Sequence, residues 1–445
     1  MPTLIFYIKD FMPLVSTITN CRRYISVLVF SVLIGFQSFG QENSPYSRYG
    51  YGDINPTQNI VNRAMGGLSL AYWDVQSINF TNPASYSNLK LTTFDVGLEY
   101  TSRTLRSTNS ELGKYNSAYL IPTYVNIGFN LSKKKSWGMT LGIKPVTRIN
   151  YQILARTRIP DIDSVSYQYS GTGGSYQAYL GMAYGFKHLS IGFNAGYMFG
   201  NKEYDTKMVF NNDTVSYLKA NYSDSTSFGG VFAKLGLQYT LVVSGDKNLR
   251  FGGTFGLENN MSASRNVTRQ TFNFNDRGIT VLDSIYKVDN QKGKIVSPGS
   301  YGFALMYEKI DNWMFGAEFN YTAWSNYRFF GATDALKNNW TLRIGGQIIP
   351  KINSKSYWSR VSYRAGMSFG PDYVDLGSKL NAWAITFGTG LPVRRNVYTN
   401  QYTTLNTTFE IGGRGNKSNS VRENVFRIAV GFNLSDIWFN KREYQ

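Results

Sequence analysis

From Lys90 onward the chain alternates: apolar side chains trade places with small or polar ones over stretches of 8 to 17 residues, each closed by a turn. Between Leu189 and Tyr204 one face carries Leu189, Ile191, Phe193, Ala195, Tyr197 and Phe199. The opposite face carries Ser190, Gly192, Asn194, Gly196, Met198 and Gly200. Near the C-terminus Phe426, Ile428, Val430, Phe432 and Leu434 alternate with Arg427, Ala429, Gly431 and Asn433. This two-residue period belongs to a strand with one apolar face.

The pattern predicts fourteen strands: Leu91 to Thr104, Asn116 to Ser132, Ser136 to Ile149, Ser175 to Phe186, Leu189 to Tyr204, Phe228 to Leu241, Asn248 to Met261, Tyr301 to Glu308, Trp313 to Trp324, Trp340 to Ile349, Trp358 to Phe369, Trp383 to Leu391, Thr404 to Gly412 and Val425 to Leu434. Most reach the roughly 9–11 residues that a tilted membrane strand needs. Gaps after odd-numbered strands are 11, 25, 23, 39, 15, 13 and 12 residues; after even-numbered ones they are 3, 2, 6, 4, 8 and 12. Long connections at one end and short ones at the other are the asymmetry of outer-membrane barrels. Trp137, Trp313, Trp324, Trp340, Trp358 and Trp383 stand near strand ends, where an aromatic girdle would lie. A soluble sandwich or propeller would show more even strand spacing. The expectation is an all-β, transmembrane antiparallel β-barrel of about 14 strands over residues 90–445.

The other face is rich in Gly, Ser, Asn and Thr, and it also carries charges of both signs. Asp95, Glu99, Glu258, Glu318 and Glu410 stand beside Lys234, Arg250, Arg343, Arg360, Arg364 and Arg427. In a confined lumen such charges pair across the space and close a barrel; the alternative is a water-filled channel with a solvated wall. Pro122 in the second strand and Pro145 in the third each remove a ladder hydrogen bond. If the two adjoin, the wall could open sideways there; otherwise they mark a bulge near the rim.

One apolar run is long enough to be noticed. Tyr24 to Phe39 follows Arg22 and Arg23 and ends at Gly40, so residues 1–40 have the layout of a secretory signal peptide. Residues 41–89 do not alternate. Arg48 stands in Ser44-Pro45-Tyr46-Ser47-Arg48, Arg63 before Ala64-Met65-Gly66-Gly67, and Asn79 before Phe80-Thr81-Asn82-Pro83. Gly66 and Gly67 permit a tight turn or close backbone packing, and Asn82 before Pro83 favours an extended or turn conformation. With fourteen strands already assigned, this segment is expected to be a hatch in the lumen, with a free periplasmic tail as the alternative.

Composition narrows the function. Aromatics are 16% of residues, with 33 Tyr and 29 Phe among 445, yet mean hydropathy is −0.28, because a barrel hides its apolar content in every second residue. Without the leader, 43 basic residues face 27 acidic ones, an excess of 16. An exported barrel meets anionic lipid, including lipopolysaccharide, rather than nucleic acid. The single cysteine, Cys21, precedes the apolar run, and the single histidine, His188, sits in a tight turn, so no disulfide, Cys-based metal site or histidine-centred triad is available. No metal-ligand spacing or cofactor motif appears. Glu258 and Glu318 are expected as salt-bridge partners rather than acid–base catalysts, and no enzyme is expected.

The order of signal peptide, Ala64-Met65-Gly66-Gly67, Asn82-Pro83-Ala84 and fourteen strands resembles the long-chain fatty-acid transporter (FadL-like) outer-membrane family. So do Arg343-Ile344-Gly345-Gly346, Tyr363-Arg364-Ala365-Gly366, Gly390-Leu391-Pro392 and Phe409-Glu410 in their order along the chain. The resemblance implies an N-terminal hatch and passage of a hydrophobic or amphipathic small molecule, with exit through a gap in the wall. It equally admits barrels that serve as subunits of larger outer-membrane machines, docking partners through long outer loops, above all Ser262 to Ser300. In either case the location would be the outer membrane of a Gram-negative bacterium, both termini periplasmic. The many inward charges and the lack of an obvious apolar tunnel depart from the transporter pattern.

Overall fold

The computed structural model describes residues 44–108, 113–132, 135–160, 163–212, 218–275, 278–396 and 401–436. The expected signal peptide and Cys21 lie outside the described residues. The regular elements are β1 (Asp53–Ile54), α1 (Ile60–Arg63), β2 (Thr92–Ser107), β3 (Lys114–Asn130), β4 (Ser136–Arg158), β5 (Ser164–Phe186), β6 (Leu189–Phe210), β7 (Lys219–Ser244), β8 (Lys247–Gly256), β9 (Asn259–Asn275), β10 (Gly278–Ser297), β11 (Ser300–Lys309), β12 (Trp313–Thr322), β13 (Arg328–Phe329), β14 (Asn339–Ile348), β15 (Ser362–Pro371), β16 (Asn381–Asn396), β17 (Gln401–Arg414) and β18 (Val421–Asp436). Consecutive strands pair antiparallel, and β18 returns to β2 through sixteen residue pairs, Val421 opposite Ser107 to Asp436 opposite Thr92, which closes the sheet on itself. β8 with β9, and β10 with β11, are each one wall strand broken at the same level, the second break at Pro298-Gly299. The result is a closed fourteen-stranded barrel.

Alternation sets the wall. In β6, Ile191, Phe193, Tyr197 and Phe199 point outward and stay exposed, while Asn194 and Met198 are buried. Phe315 and Phe319 of β12 and Trp383, Ile385 and Phe387 of β16 are exposed in the same way. Apolar side chains repeated around a whole circumference suit lipid, since water-facing patches on soluble monomers rarely exceed a few hundred Å2.

All fourteen segments fall on wall strands, but several connections differ from expectation. β4 and β5 continue to Arg158 and from Ser164, β6 continues to Phe210, and β7 begins at Lys219. The stretch Ser262 to Ser300, expected as a loop, is mostly the hairpin of β9 and β10, with Gly278 opposite Asn275. Beyond the lipid band both faces meet water, so apolar alternation ends while backbone pairing continues. Trp324 is not part of a girdle: it is buried, stacked on Tyr373 with ring centroids 4.6 Å apart. Trp358 opens a short 3-10 turn, Trp358–Arg360, and β15 starts only at Ser362.

Residues 44–89 run along the inward face of the wall. At the long-connection end Ser44 N–H donates to Asn150 O (2.9 Å), Asn55 N–H donates to Val146 O (2.9 Å), and β1 pairs with β4 between them. At the short-connection end, where β2 begins and β18 ends, Gly138 lies against the Tyr86 carbonyl. Ser44 and Asp436 therefore stand at opposite ends of the barrel. The pairing of residues 44–55 with the upper part of β4 holds the first described residue at the long-connection end.

Candidate functional site

The interior is built by small wall residues facing a tightly turned segment. α1 is capped by Asn59, whose Oδ1 accepts from Asn62 N–H (2.9 Å) while its Nδ2 donates to Ile78 O (2.9 Å). The helix ends at Arg63, and in the turn that follows Gly66 has φ +72°; a Cβ there would lie 2.6 Å from Met367 N. From the wall side, a Cβ on Gly345 would lie 2.2 Å from Met65 O, and one on Gly366 2.3 Å from Met65 C. Only glycine allows this backbone-to-backbone approach. Gly67 also has positive φ and packs on the Arg343 side chain.

Asn79 Nδ2 donates to Ser69 O (2.6 Å) and Tyr72 O (2.9 Å), tying the segment to itself. Asn82 Nδ2 donates to Leu70 O (2.6 Å) and to Leu237 O of β7 (3.1 Å), while its Oδ1 caps the 3-10 turn that begins at Pro83. Arg48 differs from these residues. It is exposed at the long-connection end, 5.9 Å from the Tyr169 ring centroid.

Charged groups fall into clusters. Arg63 contacts Glu99 of β2 and, at 3.2 Å, Glu410 of β17; Arg427 of β18 contacts Glu410 and lies 3.5 Å from Glu99. The register creates this square, since Glu410 is directly opposite Arg427. Burial alone would lower the affinity of Arg63 for its proton, but Glu99 and Glu410 outweigh it and hold the guanidinium charged. Glu318 accepts from Arg343 (3.0 Å), from Ser69 N–H (2.6 Å) and from Leu70 N–H (2.8 Å). Arg250 pairs with Glu308, and Asp95 is buried, accepting from Ile78 N–H at 3.4 Å. Arg364 is buried with neutral partners, Gln347 (2.7 Å) and Asn406 (2.9 Å). Lys234 faces an internal cavity.

Two expected lumenal charges lie elsewhere. Glu258 is exposed at the break between β8 and β9, 3.4 Å from Asn326 Nδ2. Arg360 sits on the turn before β15, beside the Tyr357 ring. Strand alternation does not extend to either position, because the strand is interrupted there.

A further ionic cluster was not anticipated. Asp53 accepts from Arg103 (2.7 Å) and Arg414 (3.0 Å); Arg103 also binds Glu423 (2.9 Å), and Arg414 grips Asp372 (2.8 Å). Burial would raise the Asp53 carboxyl, yet the two guanidinium groups outweigh it and hold it below the usual carboxylate range. Above this cluster the connections 323–338 and 372–380 fold inward. Tyr327 OH (3.0 Å) and Lys202 Nζ (2.7 Å) donate to Gly50 O, and Tyr373 OH donates to Gly52 O (2.9 Å). Tyr51 packs between Trp324 and Tyr327, and burial pushes its hydroxyl up to about 12.

The wall has one weak seam among the described residues. β3 pairs with β4 only from Val125–Ile143 to Asn130–Gly138, six residue pairs, whereas β4 pairs with β5 over nearly its whole length. Pro122 and Pro145 stand just beyond the point where the ladder stops, and both line an outward cavity of about 550 Å3 with Ile121, Val125 and Tyr176. Above it Arg148 lies over the Tyr119 ring at 4.6 Å.

Closed wall, lipid-facing band and densely paired interior together define a transmembrane β-barrel. Among solved structures the chain is similar to the toluene transporter TodX of P. putida, at 14% identity over 88% of this chain and all of that one, TM-score 0.57. It is also similar to the toluene transporter TbuX of Ralstonia pickettii (12%, 85% and 98% covered, TM-score 0.56) and to a FadL homologue of Pseudomonas aeruginosa (11%, 87% and 98% covered, TM-score 0.52). At these identities the likeness is one of fold, and the resemblance to FadL-like proteins holds at that level. The chain belongs to the BamG family, whose model matches residues 22–445. No curated sequence matches it.

Proposed function

We propose that this protein is a barrel of the Gram-negative outer membrane whose lumen is closed by its own hatch, residues 44–89, and that it serves as a subunit of outer-membrane assembly machinery. One observation carries the reading. The segment is locked to one side of the wall, β2 and β17, by buried ion pairs, Arg63 to Glu99 and Glu410, and Asp53 to Arg103 and Arg414, and it is held to β12 by Glu318, which accepts from the Ser69 and Leu70 amides. A charged, interlocked interior disfavours passage of an apolar molecule past the hatch, so this reading places the working surfaces on the wall and the outer hairpins. Membership of the BamG family hints in the same direction. In this reading residues 1–40 are a cleaved signal peptide, the long connections face outward, lipopolysaccharide contacts the lipid-facing band, and the role is not enzymatic.

A second reading rests on the seam at Pro122 and Pro145. Its cavity of about 550 Å3 would accept a hydrophobic molecule leaving or entering sideways, as suits a barrel whose structural neighbours are hydrocarbon transporters. Purification of the tagged chain in mild detergent, with identification of proteins and lipids, separates the two. Co-purification of other outer-membrane proteins at fixed stoichiometry, with loss of other outer-membrane barrels on depletion, is expected. A chain that purifies alone with an apolar ligand, and whose depletion only slows uptake of apolar compounds, would overturn the assembly reading.

A further inference from the structure

Among the described residues, two cavities inside the barrel differ in charge. The first, about 300 Å3, is bordered by five basic residues (Arg63, Arg103, Arg343, Arg414, Arg427) and four acidic ones (Asp53, Asp372, Glu410, Glu423), and its charges pair with one another. The second, about 340 Å3, is bordered by Lys144, Lys234 and Arg343 and by no carboxylate. Arg343 is occupied by Glu318, whose oxygens are further taken up by the Ser69 and Leu70 amides. Lys144 and Lys234 have no ion pair or hydrogen bond among the described residues; Lys144 lies over the Phe80 ring at 4.8 Å. Two ammonium groups thus border one cavity without an ion pair of their own, and Glu318, the carboxylate whose charge reaches Lys234, is already bound to Arg343. Such an arrangement is costly unless an anion or water compensates it.

We propose that this chamber binds a phosphate group, carried either by a small solute or by a lipid headgroup. Two uncompensated cations match a dianion, and a phosphate bears about 1.5 to 2 negative charges near neutral pH. A single carboxylate would leave one lysine unmatched. Thr81, Gln177 and Thr341 supply neutral side chains at the same cavity. The volume is at the lower end of small-ligand sites, roughly 300–1,000 Å3. Lys144 and Thr147 also border the cavity at the wall seam, so the chamber adjoins a gap in the wall ladder through which a headgroup could enter from the membrane.

The test uses the full chain in detergent, with thermal unfolding and calorimetric titration at constant ionic strength. Inorganic phosphate is compared with chloride and with a short-chain monoacylglycerol phosphate below its micelle concentration. Phosphate is expected to raise Tm in the wild type. Lys144→Met and Lys234→Met should each weaken phosphate binding at least tenfold, while Lys247→Met, on the exposed short-connection end, should not. Without phosphate the two variants should be as stable as the wild type or more so, because each removes an unmatched charge. A response to inorganic phosphate indicates a soluble source, and a response to the lipid alone indicates a headgroup; either supports the site. No response to either compound, or an undiminished response in both lysine variants, overturns it.

Discussion

Arg63 reaches Glu99 and Glu410 from a single helical turn, and Arg427 approaches the same carboxylates from the wall. Removing one member leaves the others buried and unmatched, which typically costs about 3–5 kcal/mol. Arg63→Met should therefore lower unfolding stability by that order, read from urea titration in detergent, and adding Glu99→Gln and Glu410→Gln should restore part of the loss. Gly66→Ala should loosen the same region through its positive φ and the clash with Met367, giving faster proteolysis between residues 60 and 75. Asp53 ties the segment to pH. Its carboxyl is held low in the folded chain, so its contribution is complete above the ordinary value of about 3.9 and is lost as pH falls through that value towards the depressed one. Hydrogen-exchange protection of residues 50–57 should drop between pH 6 and pH 3, and in Asp53→Asn the lower protection should already be present at pH 6.

At the scale of elements, alternation made the wall legible and also set where legibility ended. Leu189 to Tyr204 announces β6 because lipid demands an apolar face, whereas Tyr204 to Phe210 continues the strand where no such demand exists. For the same reason Arg414, Asp372 and Glu423 fell outside the strands read from sequence, and with them went the cluster around Asp53. The inward folding of residues 323–338 and 372–380 left no periodic signal: it depends on Trp324, Tyr327 and Tyr373 meeting Tyr51 from far along the chain. Pro122 and Pro145 were visible as interruptions, but only the register shows that the ladder between β3 and β4 stops beside them. Replacing both with Val would return two N–H donors at the seam. The ladder should then extend, with greater exchange protection at residues 121–124 and several-fold weaker binding of an apolar fluorescent probe. Unchanged probe binding would assign the seam's width to the segment at residues 44–55 instead.

The whole molecule is lopsided. β4 to β7, at 22 to 26 residues, stand far above the lipid band, while β12, β14 and β15 have ten residues each. On the low side the connections bend into the mouth and cover residues 46–54; on the high side β9 and β10 present Phe274, Ile279, Val281 and Ile285 to the surroundings. On the proposed reading, a barrel built in this way closes its centre and displays its rim. The class of fold could be read from the chain, and so could the presence of charges of both signs on its inner face. The placement of Ser44 at the long-connection end could not, because it follows from backbone pairing with β4, which composition does not encode. Planar-bilayer recording tests closure most directly. The full chain should insert without a steady ohmic pore, and Arg63→Met combined with Asp53→Asn should open transient conductances. A stable, porin-like conductance from the unaltered chain would contradict the closed lumen on which this account rests.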